Sequence, residues 1–130
     1  MTPVFQTLFG PKGNCFQACV ASLFDTELDH VPAFHAFDDW GLLLRAWAKD
    51  NYGVETVFTS AYRYPLFLEP DKPAGYSINS HLLFNGDVHA AVFLDGWLAH
   101  DPSPRPFCKI DSLALLWTTF LKGEKVYGTN

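Results

Sequence analysis

At 130 residues, with 48% apolar and 16% aromatic content, the chain has the length of one domain and enough hydrophobic mass to bury a core, which excludes a disordered segment. A net charge of −5, with nine Lys and Arg scattered singly, excludes the clustered basic face that nucleic acid requires. Three cysteines, an amino terminus without a basic start and apolar run, and no apolar stretch near the roughly 18 residues of a membrane span predict a cytoplasmic protein with free thiols and no membrane contact.

Residues 1–13 carry Pro3, Gly10, Pro11 and Gly13 and read as irregular, with Gln6 among them. The next stretch, GNCFQACVASLF, organises the rest. Asn14 is a preferred N-cap residue, and Gln17 three positions on completes a capping-box pattern, so Cys15 is predicted at the first helical position. The residues after it are apolar on nearly every face, the mark of a helix inside a core. Its start carries about half a positive charge and unpaired N–H groups, which favour thiolate over thiol.

Thr26 and Asp29 then predict a single helical turn that stops at Pro32. Asp38 or Asp39 caps a second helix, in which Trp40, Leu43, Leu44 and Trp47 recur on one face while Arg45, Lys49 and Asp50 fall elsewhere; Asn51 and Gly53 end it.

From Gly53 the period changes. Residues 54–60 have the β-branched content of a strand, and residues 62–75, with Pro65, Pro70 and Pro73, read as a surface loop. A second strand is predicted over residues 76–84, followed by a turn at Asn85 and Gly86. HAAVFL and WLAHDP flank Asp95-Gly96, a strong hairpin signal, and Pro102, Pro104 and Pro106 end it. The last apolar stretch stays open between a short helix capped by Asp111 and a strand over residues 117–121. Helices first and an antiparallel sheet second give the class α+β, in one domain spanning residues 1–130.

A thiol nucleophile needs an imidazole within hydrogen-bond reach and a third polar group to orient that imidazole. His89 starts a strand and is followed by small Ala90 and Ala91, which permit close approach by a helix end. The third group depends on hairpin register. A two-residue loop pairs Leu94 with Trp97 and puts His100 on the face of His89; a three-residue loop pairs Phe93 with Trp97 and puts Asp101 there. A carboxylate is the better partner for an imidazolium, so Asp101 is favoured and His100 is the alternative.

The order Cys at a helix start, His at a strand start and Asp in an HDP turn resembles the papain-like cysteine peptidase fold. It is closest to small bacterial and phage members related to the C39 and NlpC/P60 peptidases. GNCFQACVASL, a VPAF-like turn, HAAV and HDPSP carry the resemblance across most of the chain. It implies Cys15 as nucleophile, His89 as base, Asp101 as orienting acid and Gln6 as an oxyanion donor beside the helix-start N–H. A second histidine as third group, common in NlpC/P60-like members, would be His100. The implied activity is a thiol-dependent hydrolase, a peptidase, amidase or isopeptidase working through an acyl-enzyme without cofactor, on a peptide or amide substrate that can be a protein. An acyltransferase on the same triad, or a catalytically silent module that binds a partner, are the alternatives.

Cys15, Cys19, His30 and His35 also approach a zinc-finger spacing. Such fingers carry their cysteines on a hairpin, whereas these sit in an apolar helix and Pro32 interrupts the histidines, so no metal is expected. Cys19 and Cys108 read as structural filler, and His30, His35 and His81 as surface or half-buried residues.

Overall fold

The cysteine segment forms helix α1, Cys15–Leu23, and eight of its nine residues are buried. A helix so surrounded takes its stability from packing, since nine residues are too few to hold a helix in water. The computed structural model describes residues 1–10, 13–60, 75–82, 86–104 and 114–122. Two 3-10 turns follow, Leu28–His30 and Phe34–Ala36. The first lies in the predicted place before Pro32; the second was not predicted and buries Phe34.

Helix α2, Trp40–Tyr52, buries Leu44 and Ala48 completely, with Trp40, Leu43 and Trp47 packed against the same core. Gly53 ends it in the left-handed region at φ 66°, donating its N–H to the Lys49 carbonyl at 2.9 Å. Phe24, just beyond α1, stacks on Tyr52 with ring centroids 4.1 Å apart and meets Trp47 edge-on, joining the two helices.

Strands β1 (Glu55–Ser60), β2 (Tyr76–Leu82), β3 (Val88–Leu94), β4 (Trp97–His100) and β5 (Ala114–Lys122) form one sheet in the order β1-β5-β2-β3-β4, every pair antiparallel. The class is therefore α+β. Residues 114–122 take the strand alternative, inserted between β1 and β2. The proline-rich stretch expected at 62–75 lies outside the described residues except for Gly75, as do Asn85, Pro106, Cys108 and Asp111. No helix among the described residues is long and apolar enough to cross a membrane.

The α1 helix packs on Ile78, Ala90 and Val92. The amino-terminal segment straps it to the hairpin. Val4 donates its N–H to Ser22 Oγ at 2.9 Å, while its carbonyl accepts from His100 Nε2 at 2.7 Å; the Gln6 N–H reaches the Pro102 carbonyl at 2.9 Å.

Candidate active site

The start of α1 differs from its prediction. Asn14 makes no side-chain cap; its Oδ1 accepts the N–H groups of Thr7 and Leu8, each at 2.9 Å. Gln17 does not complete a capping box either. Its Nε2 donates to the Leu28 and Val31 carbonyls at 3.0 and 2.9 Å, pinning the first 3-10 turn against the helix. Backbone groups elsewhere, two N–H groups for Asn14 and two carbonyls for Gln17, outcompeted the local cap, each side chain bonding two partners there instead of one at the helix start. The first helical N–H groups thus keep their capacity for an incoming acceptor.

β4 pairs with β3 only at residues 92–94, so the edge of β3 ahead of them is open, and the tip of α1 meets it there. The Ala90 N–H points to Cys15 Sγ at 3.4 Å, and Sγ lies 4.0 Å from the Val88 carbonyl. His89 sits between these two residues, buried with 5% of its side chain exposed, and its Nε2 is 2.7 Å from Asp101 Oδ1. The same carboxylate oxygen accepts the Ser103 N–H at 2.9 Å, which holds it in place. Nε2 being taken, Nδ1 is the ring nitrogen left for the sulfur.

Burial opposes protonation of His89, but hydrogen bonding with Asp101 and with Cys15, and the charges of both, outweigh it and lift its pKa to about 9. The imidazole is therefore charged at neutral pH. Cys19, one turn deeper and fully buried, is the opposite case: desolvation, with smaller contributions from Cys15 and Asp101, pushes its thiol well up, so it is inert filler.

The two-residue alternative describes the turn but not the face it was expected to bring to His89. Asp95 and Gly96, at φ 52° and 87°, form a two-residue turn, and Leu94 pairs with Trp97 and Phe93 with Leu98. That register alone would bring His100 to the face of His89. Val92, however, pairs with His100, which leaves Ala99 unopposed as a β-bulge. The extra residue reverses the faces beyond it. Asp101 meets His89, and His100 turns away to the Val4 carbonyl, with Phe5 edge-on to its ring.

Gln6 is buried in the seam between α1 and the hairpin; its Nε2 donates one N–H to the Leu8 carbonyl at 3.0 Å, and its Oε1 has no partner. His30 and His35 are exposed, and among the described residues no three His, Cys, Asp or Glu are grouped to hold a metal ion. His81, expected at the surface or half-buried, is buried instead. It is 7% exposed, pairs across the strands with His89 and stacks on Phe93, and burial lowers its pKa.

A cavity of about 210 Å³ opens beside Cys15. Phe16, Phe34 and Trp40 form an aromatic wall, with Phe16 edge-on to Phe34 at 5.9 Å and tilted against Trp40 at 5.0 Å; Val88, Ala90 and Ser80 face it from the sheet. Trp40, on the apolar face predicted for the second helix, is half-buried and lines this space. Ser80 was missed, although strand alternation places it on the face of Ile78. In comparisons with known proteins, no family model, no curated protein and no solved structure matches the chain.

Proposed function

We propose that this chain is a cysteine hydrolase of papain-like architecture, acting on an amide, isopeptide or thioester carbonyl. One observation carries the reading: a cysteine at a helix start, an imidazole interacting with it and a carboxylate 2.7 Å from that imidazole converge from three separate elements beside a cavity.

The Cys15 sulfur attacks the carbonyl carbon and the carbonyl oxygen becomes an oxyanion. Helix-start N–H groups, and the second N–H of Gln6 Nε2, are the donors for it. His89, protonated at rest, gives its proton to the leaving amine as the carbon–nitrogen bond breaks, and Cys15 holds the acyl group as a thioester. Now neutral, His89 takes a proton from an entering water, which attacks the thioester and releases the acid and the sulfur. Asp101 keeps the ring oriented and stabilises its charged form through both steps. An amine in place of water gives acyl transfer by the same route.

Alkylation tests this. A sulfur paired with an imidazolium is expected to react with iodoacetamide at pH 6 at least about tenfold faster than an ordinary thiol, and Cys15→Ala is expected to abolish the fast phase. Equal, slow labelling of Cys15, Cys19 and Cys108 would favour a silent binding module instead.

A further inference from the structure

The cavity beside Cys15 opens to the outside through apolar side chains. Of the residues that line it, Val88 is 43% exposed and Phe16 and Trp40 are half-buried, so the walls present side-chain surface to whatever enters. Val88 pairs with Leu82 across β3 and β2, and opposed residues of an antiparallel pair share a face. Leu82 is 40% exposed, and the two make an apolar ledge that continues the cavity wall onto the surface. Apolar residues exposed singly need no explanation, but a pair contiguous with an aromatic cavity marks a binding surface.

Size and charge narrow the occupant. The volume, about 210 Å³, is below the roughly 300 Å³ at which drug-sized sites begin and above the roughly 150 Å³ at which an apolar cavity holds benzene, so it takes one large side chain. Cys15 is itself part of the lining, which puts that side chain next to the carbonyl its sulfur attacks. Among the described residues no Asp, Glu, Lys or Arg lines the space. A cation entering it would shed water with no carboxylate to pair, facing the charged imidazole of His89 and the positive end of α1.

Trp40 is the part of the wall that a second element supplies. It opens α2, with its ring 5.0 Å from Phe16 and edge-on to Phe58 at 5.7 Å, so two neighbouring rings hold it in place. No step of the proposed chemistry uses it.

We propose that Cys15 takes acyl groups whose side chain nearest the carbonyl is large and apolar, and that Trp40 sets this preference from α2. This rests on Cys15 being the nucleophile of the preceding reading.

The test compares N-acetylated phenylalanyl, alanyl and lysyl chloromethyl ketones on the full chain, each rate divided by that of iodoacetamide, a probe too small to depend on the cavity. In each ketone the sulfur bonds to the methylene carbon and chloride leaves. The phenylalanyl reagent is expected to label Cys15 about tenfold faster or more than either of the others. Trp40→Ala is expected to bring the phenylalanyl-to-alanyl ratio toward one. It also loses packing, so Trp40→Phe, which keeps a ring in the wall, is the milder cut and should lower the ratio part of the way; the ratio in the unmodified protein is a test on its own. A ratio near one there, or a lysyl rate equal to the phenylalanyl one, overturns the selection while fast iodoacetamide labelling leaves the nucleophile standing. A ratio unchanged in both variants overturns the role of Trp40, and slow iodoacetamide labelling of the parent overturns the nucleophile and the selection together.

Discussion

Helix α1 and the β3–β4 hairpin bring the two halves of the site together by opposite means. The helix is held from all sides, and bulk burial fixes where its sulfur goes. The hairpin depends on one residue. Ala99, unopposed by β3, decides whether a carboxylate or a second imidazole reaches His89. Placement by burial tolerates small losses of volume, whereas placement by register is all or nothing, since one step of slip moves every side chain to the other face.

Insertion of one alanine between Ala99 and His100 is the sharpest break in that comparison. With Ala99 still unopposed, the inserted residue takes the place opposite Val92, which sends Asp101 to the far face and brings His100 up in its place. Loss of the orienting acid is expected to slow turnover or Cys15 alkylation about a thousandfold, with the His89 pKa falling well below 9 in an NMR titration. Retention of both would mean that contacts beyond β4, such as the Pro102 carbonyl with Gln6, hold Asp101 independently of the bulge.

The helix should behave differently. Leu23, 2% exposed at the far end of α1 from Cys15, is expected to cost about 2–5 kcal/mol when cut to alanine, read by denaturant unfolding. Below the unfolding transition, His89 should still titrate near 9 and Cys15 should alkylate at the parent rate. A lowered His89 pKa in Leu23→Ala would show that packing tunes the site after all.

This contrast also explains what could be read from the chain. The apolar run after Cys15, the α2 stripe of Trp40, Leu44 and Trp47 and the turn at Asp95-Gly96 are local patterns, and local patterns survive folding. The Asn14–Gln17 cap was equally local and did not form, because Thr7, Leu8, Leu28 and Val31 offered backbone partners that no window of sequence shows. The bulge at Ala99 carries no mark in the residues themselves. Asp101 was favoured for its chemistry, yet the three-residue loop expected to deliver it does not exist; a two-residue turn plus one extra residue reaches the same face. His81 was read as a surface or half-buried residue because its pairing with His89 across β2 and β3 is a tertiary fact.

Asp101→Asn keeps the geometry and removes the charge. Turnover is expected to fall about a hundredfold, and the His89 pKa to drop toward 6.5. Its effect on stability has a defined pH window. A folded pKa of about 9 against 6.5 for a free imidazole stabilises the fold fully below pH 6.5, and the gain is lost as pH rises through 9. At about 1.4 kcal/mol for each tenfold in proton affinity the ceiling is about 3 kcal/mol, shared with Cys15. The variant should therefore melt lower than the parent at pH 6 and converge on it above pH 9; a deficit that does not shrink with rising pH would locate the role of Asp101 in its Ser103 hydrogen bond.

The smallest expected effect separates the turn from the bulge. Gly96 sits at φ 87°, where a side chain is strained, so Gly96→Ala should cost about 1 kcal/mol of stability. The register beyond the turn should survive, because the neighbouring Asp95 is tied to Gly75 from both sides: its N–H reaches the Gly75 carbonyl at 3.0 Å and its Oδ1 accepts the Gly75 N–H at 2.7 Å. Folded Gly96→Ala molecules should then keep the parent alkylation rate and the His89 pKa near 9. A rate that falls in step with the insertion after Ala99 would instead make the turn the determinant of which side chain meets His89, with the bulge merely following it.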